Sequence, residues 1–187
     1  MSEQIQYPST SLTESAGTVL FHLPSRTICL LSQTKKPGYS ELLLPKGRRN
    51  VDESRAAASL RETTEETTYK CSLLPVTLPS RQTLQEEDED AGDKVRAHEN
   101  CTESFYMQLR KIGREKDRAK IIWWFVAQVD EEDYEKKKVE GWDGVVKKGL
   151  SVEWLGYDDT IAELSYETDV DVVKAAIELV KGVDKVT

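Results

Sequence analysis

Residues 47–69 read "GRRNVDESRAAASLRETTEETTY", and this stretch decides how the rest of the chain is read. It predicts one short helix that carries Glu53, Glu62, Glu65 and Glu66 with no lysine among them. At 100° per residue, Ala56, Leu60, Thr63 and Thr67 fall within an arc of about 60°, the expected core face. Glu62, Glu65 and Glu66 fall within about 100° of one another on the opposite side. Asn50 is the expected N-cap, with Glu53 three residues on in a capping box, where the helix dipole favours negative charge. Glu53 therefore has a structural explanation and the other three do not. Like charges one turn apart, such as Glu62 and Glu66, cost only about 0.2–0.5 kcal/mol. A solvated acidic face is one reading. The other is a divalent-metal site, because hard cations take a few carboxylates together with substrate phosphates. Lys46, Arg48 and Arg49, immediately before the helix, would then meet those phosphates.

Working outward, "TVLFHL" and "TICLLS" read as strands with a turn at Pro24-Ser25-Arg26. "ELLL" before Pro45 is another short strand, and "PKGRRN" is a basic loop. "KCSLLPVTL", "SFYMQLR", "AKIIWWFVAQV" and "VEWLGYD" continue the strand pattern, and "TDVDVVKAAIELVKGV" is an amphipathic helix burying Val172, Val173, Ala176, Ile177 and Val180. "DEEDYEKKKVEG" reads as a solvated, charged connection. Strands mixed with two main helices indicate an α/β or α+β fold with helices on both faces of a mixed sheet. Residues 1–15, polar and rich in Ser and Thr, form an expected flexible arm before a single domain over 16–187. Residues 85–100, "QEEDEDAGDKVRAHEN", form an expected exposed acidic loop.

At 187 residues, with 38% hydrophobic and 32% charged residues, the chain suits one soluble domain. Its net charge of -8 argues against non-specific nucleic-acid binding. No apolar run approaches the roughly 20 residues of a membrane helix. The first residues lack the basic start and apolar stretch of a signal peptide, so a reducing interior, cytoplasm or nucleus, is expected. Cys29, Cys71 and Cys101 form no CxxC pair, and His22 and His98 stand far apart, so neither a disulfide framework nor a zinc motif is read. Trp123 and Trp124, adjacent in a strand, point to opposite faces.

The stretch 47–69 resembles the Nudix box: a glycine, five residues, a glutamate, seven residues, then Arg-Glu-aliphatic-x-Glu-Glu-x-Gly-aliphatic. Gly47, Glu53, Arg61, Glu62, Glu65 and Glu66 match with both long spacings intact. The resemblance implies an α/β/α sandwich with a mixed central sheet and a hydrolase acting on phosphoanhydride bonds. It implies Mg²⁺ or Mn²⁺ on Glu62, Glu65, Glu66 and the Gly47 carbonyl, with Glu65 or Glu66 helping to activate water. Arg61 looks like the residue that orients the glutamates, paired with Glu53. Thr63 and Thr68 depart from the pattern, standing for an aliphatic residue and for the glycine after the helix. A left-handed turn is unfavourable for a β-branched residue, so the helix is expected to end without one or to run on to Tyr69.

Substrate choice in this family lies outside the box. Lys36, Lys46, Arg48 and Arg49, with Lys35 beside them, suit a phosphate-rich small molecule such as a diphosphoinositol polyphosphate or a dinucleoside polyphosphate. The basic residues of 110–120 read either as part of that pocket or as ordinary surface charge. The alternatives are hydrolysis of a nucleoside diphosphate linked to another group, such as ADP-ribose or a nucleotide sugar, and a catalytically weak binding module. Nothing in the sequence sets the oligomeric state.

Overall fold

The computed structural model describes residues 4–83, 94–113, 117–147 and 149–183. In chain order the elements are β1 (Leu12–His22), β2 (Thr27–Lys36), β3 (Tyr39–Leu43), β4 (Lys46–Arg48), α1 (Arg55–Thr67), β5 (Cys71–Leu73), β6 (Val76–Ser80), β7 (Arg96–Cys101), β8 (Tyr106–Ile112), β9 (Arg118–Val129), α2 (Glu131–Val139), β10 (Val145–Lys147), β11 (Leu150–Gly156), α3 (Tyr157–Glu163) and α4 (Glu167–Val183). The apolar run around Trp123 and Trp124 becomes β9, which pairs in parallel with β1 from Leu12↔Ala119 to Phe21↔Gln128. Every other pairing among the described residues is antiparallel. The main sheet runs β10-β11-β2-β1-β9-β5, with β3, β4 and β8 attached to β2, β1 and β9. β6 and β7 form a separate hairpin.

Each face of this mixed sheet is covered by helix. On one face Val172, Val173, Ala176, Ile177 and Val180 of α4 pack on Val19, Phe21, Ile28, Leu30, Ile122, Trp124 and Val126. The five α4 residues are the ones its periodicity selects, and each buried Val or Ile contributes about 1.5–3 kcal/mol. On the other face Leu20, Cys29, Leu31, Ala127 and Val129 pack with Tyr69, Leu60 of α1 and Tyr134 of α2, and Ala58 joins Ala16 and Phe125. The result is the expected α/β/α sandwich.

Several boundaries differ from the sequence reading. Leu12 to Ser15, expected in the arm, belong to β1, because β9 extends far enough to pair their backbone. Of the expected acidic loop, residues 85–93 lie outside the described residues. Arg96 to Asn100 lie in β7, held by β6 through pairs such as Leu78↔His98 and Ser80↔Arg96. The charged connection after Val129 is helix α2. Asp130 caps it, its acids Glu131, Glu132 and Asp133 sit in the first turn, and Lys136, Lys137 and Lys138 sit in the last. Its sequence follows the helix dipole rather than an apolar stripe, which is why periodicity alone misses it. α3 is likewise additional to the two helices expected.

The end of α1 also overturns its expectation. Thr68 lies in the left-handed region at φ 65° and its N–H donates to the Thr64 carbonyl. Neighbouring contacts compensate for the strain. Thr67 Oγ1 donates to the Thr63 carbonyl at 2.6 Å and accepts from the Tyr69 N–H at 3.2 Å, while Lys137 Nζ donates to the Thr68 carbonyl at 3.0 Å. The turn also places the buried Tyr69 ring 5.4 Å from Trp142 and 5.3 Å from Trp154. Thr68→Gly is therefore expected to raise stability by about 0.5–1 kcal/mol, the relieved strain less the added chain entropy of glycine. Thermal unfolding of the variant checks this, and a lower melting temperature would show that Thr68 carries no strain.

Candidate active site

Helix α1 begins later than its sequence suggests. Asp52 takes φ 63°, the Glu53 N–H donates to the Asn50 carbonyl, and residues 50–53 make a turn rather than a first helical turn. Ser54 is the N-cap, accepting from the Ala57 N–H at 3.1 Å. Asn50 keeps half of the expected capping box, its N–H donating to Glu53 Oε2 at 2.9 Å. Glu53 is thereby freed from the helix and faces it.

The buried stripe of α1 is Ser59, Thr63 and Thr67, with Ala58 beside it, whereas Ala56 and Leu60 are only half-buried. Thr63 Oγ1 bonds not to a helix carbonyl but to Thr18 Oγ1 of β1, at 2.8 Å. That hydroxyl pair draws the helix round. Glu66 and Glu62 lie only about 20° and 60° from Ser59 on the helical wheel, so they are carried against β4 rather than away from the core. The Glu62 side chain is 14% exposed and that of Glu65 is 60% exposed, which separates the inward carboxylate from the outward one.

Arg61 ties these groups together. Its guanidinium grips Glu53 with Nε to Oε1 at 2.8 Å and Nη2 to Oε2 at 2.9 Å, a fork that a lysine cannot make. Nη1 donates to Glu62 at 2.7 Å and to Glu65 at 3.3 Å, and Nη2 also donates to the Arg48 carbonyl at 2.9 Å. Hydrogen bonds from Arg61, then from the Asn50 N–H, pull the Glu53 pKa down to about 2. A Cβ added to Gly47 would fall inside the Glu62 carboxylate, so only glycine lets that carboxylate lie against the β4 backbone.

Glu66 accepts a hydrogen bond from the Lys46 N–H at 2.8 Å and makes no ion pair with a described residue. Burial pushes it above the usual carboxylate range, and nearby Glu62 adds to this, while the Lys46 N–H and the charges of Lys46 and Lys147 oppose it. A hard, partly desolvated carboxylate, beside a second one that lies against a glycine backbone, fits a divalent cation. Arg61 holds Glu65 outward, and Glu62, Glu65 and Glu66 do not come within 4.8 Å of one another as a trio.

Residues paired across a ladder share a face. The pairs Lys46↔Gly17↔Trp124 and Arg48↔Ser15↔Ile122 put Lys46 and Arg48 on the α4 side. Arg110↔Lys120 and Thr13↔Lys120 place two further cations on that same side. Burial lowers Lys120 below the usual lysine range, and the charges of Lys46, Arg110 and Arg48 add to this against Glu66. Arg110 is anchored from below, its Nη2 donating to Gln108 at 3.1 Å and to the buried Asp169 of α4 at 3.2 Å. Ser15 Oγ, buried on this face, has no hydrogen-bond partner among the described residues. Crowded cations and an orphaned hydroxyl give this face groups that could hold an anion.

A scan against protein-family models finds no match to this chain, and neither does a search of the curated proteins. Solved structures do match. An Ap4A hydrolase of C. elegans in a binary complex is 18% identical and has a TM-score of 0.57, over 91% of this chain and 98% of that one. The E. coli ORF135 protein is 11% identical with a TM-score of 0.53, over 90% and 91% of the two chains. A Nudix hydrolase from Nitrosomonas europaea is 17% identical with a TM-score of 0.50, over 89% and 86%. The chain has the Nudix fold.

Within that fold the box residues Gly47, Glu53, Arg61, Glu62 and Glu66 come together through contacts, and Glu65 joins only through Arg61. Arg49 and Lys36, two more residues expected at the phosphates, contact groups of the protein itself. Arg49 donates to Glu14 at 3.1 Å and to the Glu53 carbonyl at 2.7 Å, latching β1 to the loop. Lys36 lies at the tip of the β2–β3 hairpin, 5.7 Å over the Tyr39 ring. Glu14, Asp169 and Lys147 are not singled out by any local motif, while Arg110 and Lys120 belong to the basic run 110–120, which the ladder brings beside Lys46. Glu14 accepts from Arg49, Arg55 and Trp123. Burial alone would raise it, but hydrogen bonds from Arg55 and Trp123 and the charges of both arginines hold it below the usual range. Trp124 is wholly buried, whereas Trp123 stacks under Arg55 at 4.0 Å.

Proposed function

We propose that this chain is a Mg²⁺- or Mn²⁺-dependent pyrophosphohydrolase that cleaves a diphosphate linkage in a phosphate-rich small molecule. A dinucleoside polyphosphate comes first among such substrates and a diphosphoinositol polyphosphate second. The observation that carries this reading is the meeting of the Arg61-organised carboxylates with the cations of Lys46, Arg48, Arg110 and Lys120 across β4. The C. elegans structure named as an Ap4A hydrolase supports the order of substrates.

Glu62, Glu66 and the Gly47 carbonyl would hold the metal, joined by Glu65 once its exposed pair with Arg61 is released. When bound there, such an ion polarises phosphoryl oxygens and acidifies a nucleophilic water. The chain's own residues do the rest. Arg61 fixes Glu62 and Glu53 and opposes their drift towards solvent. Glu66, with Oε2 held by the Lys46 N–H, presents Oε1 as the atom to take a proton from the attacking water. Lys120 and the Asp169-anchored Arg110 bind phosphates remote from the scissile bond. Arginine supplies a fork there and lysine a point charge.

The test is product release from diadenosine tetraphosphate, a diphosphoinositol polyphosphate and ADP-ribose, each with Mg²⁺, for the wild type and Lys120→Gln. Turnover of either phosphate-rich compound is expected, with KM raised about tenfold or more in the variant, the value of one charged hydrogen bond. ADP-ribose turnover alone would keep the reaction and refute the substrate class. Tight binding of all three with no turnover would refute the enzyme and leave a binding module.

A further inference from the structure

We propose that His22, Glu131 and Glu135 form a binding site for a divalent transition-metal ion, chemically distinct from the α1 carboxylates. One ligand atom from each of the three residues lies within 4.8 Å of the others. The site brings together the end of β1 and the first turns of α2. Glu131 and Glu135 are one helical turn apart and share a face of α2. His22 Nε2 already meets Glu131 Oε2 at 3.1 Å.

The ring is held as a metal-binding imidazole is held. His22 Nδ1 bonds Ser25 Oγ at 2.5 Å, and Ser25 Oγ bonds Thr27 Oγ1 at 2.7 Å. In the metal-free protein Nε2–H donates to Glu131; with a metal on Nε2 the ring proton would sit on Nδ1 and be donated to Ser25, which donates onward to Thr27. Such a second hydrogen bond fixes both tautomer and ring direction. Tyr134 stacks on the ring at 3.7 Å between centroids, with planes 17° apart, and so removes its freedom to turn. The His22 side chain is 4% exposed while that of Glu131 is 56% exposed, so the nitrogen is preformed and the carboxylates can adjust. A cavity of about 360 Å³ opens beside it, lined by His22, Gln128, Asp130 and Glu131 among others, with room for water ligands.

One nitrogen and two carboxylates select zinc or cobalt rather than magnesium, which prefers an all-oxygen shell. Glu135 bonds Lys138 at 3.1 Å, an exposed pair that is cheap to release. His22 lies five residues along β1 from Gly17, the partner of Lys46, a separation of roughly 16 Å along the strand, so its ion is not a member of the α1 cluster.

The experiment titrates Co²⁺ into the full chain in excess Mg²⁺, then displaces it with Zn²⁺. One equivalent is expected to bind with the intense visible absorption of four-coordinate cobalt, which an octahedral all-oxygen site does not give. Glu131→Gln/Glu135→Gln, which keeps side-chain size and hydrogen bonding on an exposed helix face, is expected to lose that absorption. Its Zn²⁺ affinity should weaken more than tenfold. Glu66→Gln is expected to retain both signals. Unchanged absorption and affinity in the double variant would overturn the proposal. So would no tight cobalt in the wild type, or a thiolate charge-transfer band assigning the ion to cysteine.

Discussion

Glu66→Gln is expected to lower diphosphate hydrolysis by about 10²–10⁴-fold, the range for loss of a positioned acid–base group, while making the protein more stable. The substituted amide can still accept the Lys46 N–H through its oxygen, so the fold keeps its hydrogen bond. What disappears is a carboxylate that burial, with Glu62 close by, holds above its ordinary value. A carboxylate raised in the folded state opposes folding when ionised. That penalty is full above the folded value and vanishes as pH falls below the unfolded value of about 4.3. In EDTA the variant should therefore melt above the wild type at pH 7, and the gap should close as pH falls through that range. Mg²⁺ should raise the wild-type melting temperature and raise that of the variant much less. Retention of a tenth of the activity would remove Glu66 from the proposed reaction.

Arg61→Lys is expected to cost about 10–100-fold in activity and in apparent Mg²⁺ affinity, the usual effect of losing a group that orients ligands. One ammonium cannot replace a guanidinium that reaches Glu53 by two atoms, and Glu62, Glu65 and the Arg48 carbonyl as well. Stability should change with a defined pH signature. The Glu53 pKa is held down to about 2 mainly by its Arg61 hydrogen bonds, so their stabilisation is present above the unfolded carboxylate value and lost as pH falls towards 2. The wild type should melt above the variant at pH 6. The two curves should converge between about pH 4.3 and the Glu53 value. Parallel curves down to pH 2 would show that Arg61 does not hold Glu53 in solution.

The two helices with apolar or acidic signatures are legible from residue order, and so is the sandwich they imply. α2 is not, because its sequence satisfies the helix dipole at both ends and offers Tyr134 in place of an apolar stripe. β4 reads as a loop, since three residues with two cations carry no alternation. Only its pairing to Ser15, Ala16 and Gly17 makes it a strand. Propensity misjudges Thr68, because it speaks against a left-handed threonine while the burial of Tyr69 requires that turn.

The box is written in residue order: which carboxylates share one helix, the arginine among them, and the glycine before them. Those follow from spacing within one chain segment, where helical geometry converts sequence distance directly into direction. The partners of that helix come instead from the packing of distant segments. Thr18 rotates it inward, and β8, β9 and α4 deliver Lys120 and the Asp169-anchored Arg110 to the same face as Lys46. Thr18 and Thr63 are 45 residues apart in the chain, and Arg110 and Asp169 are 59 apart. No local periodicity spans such distances, because strand register and layer packing set those contacts.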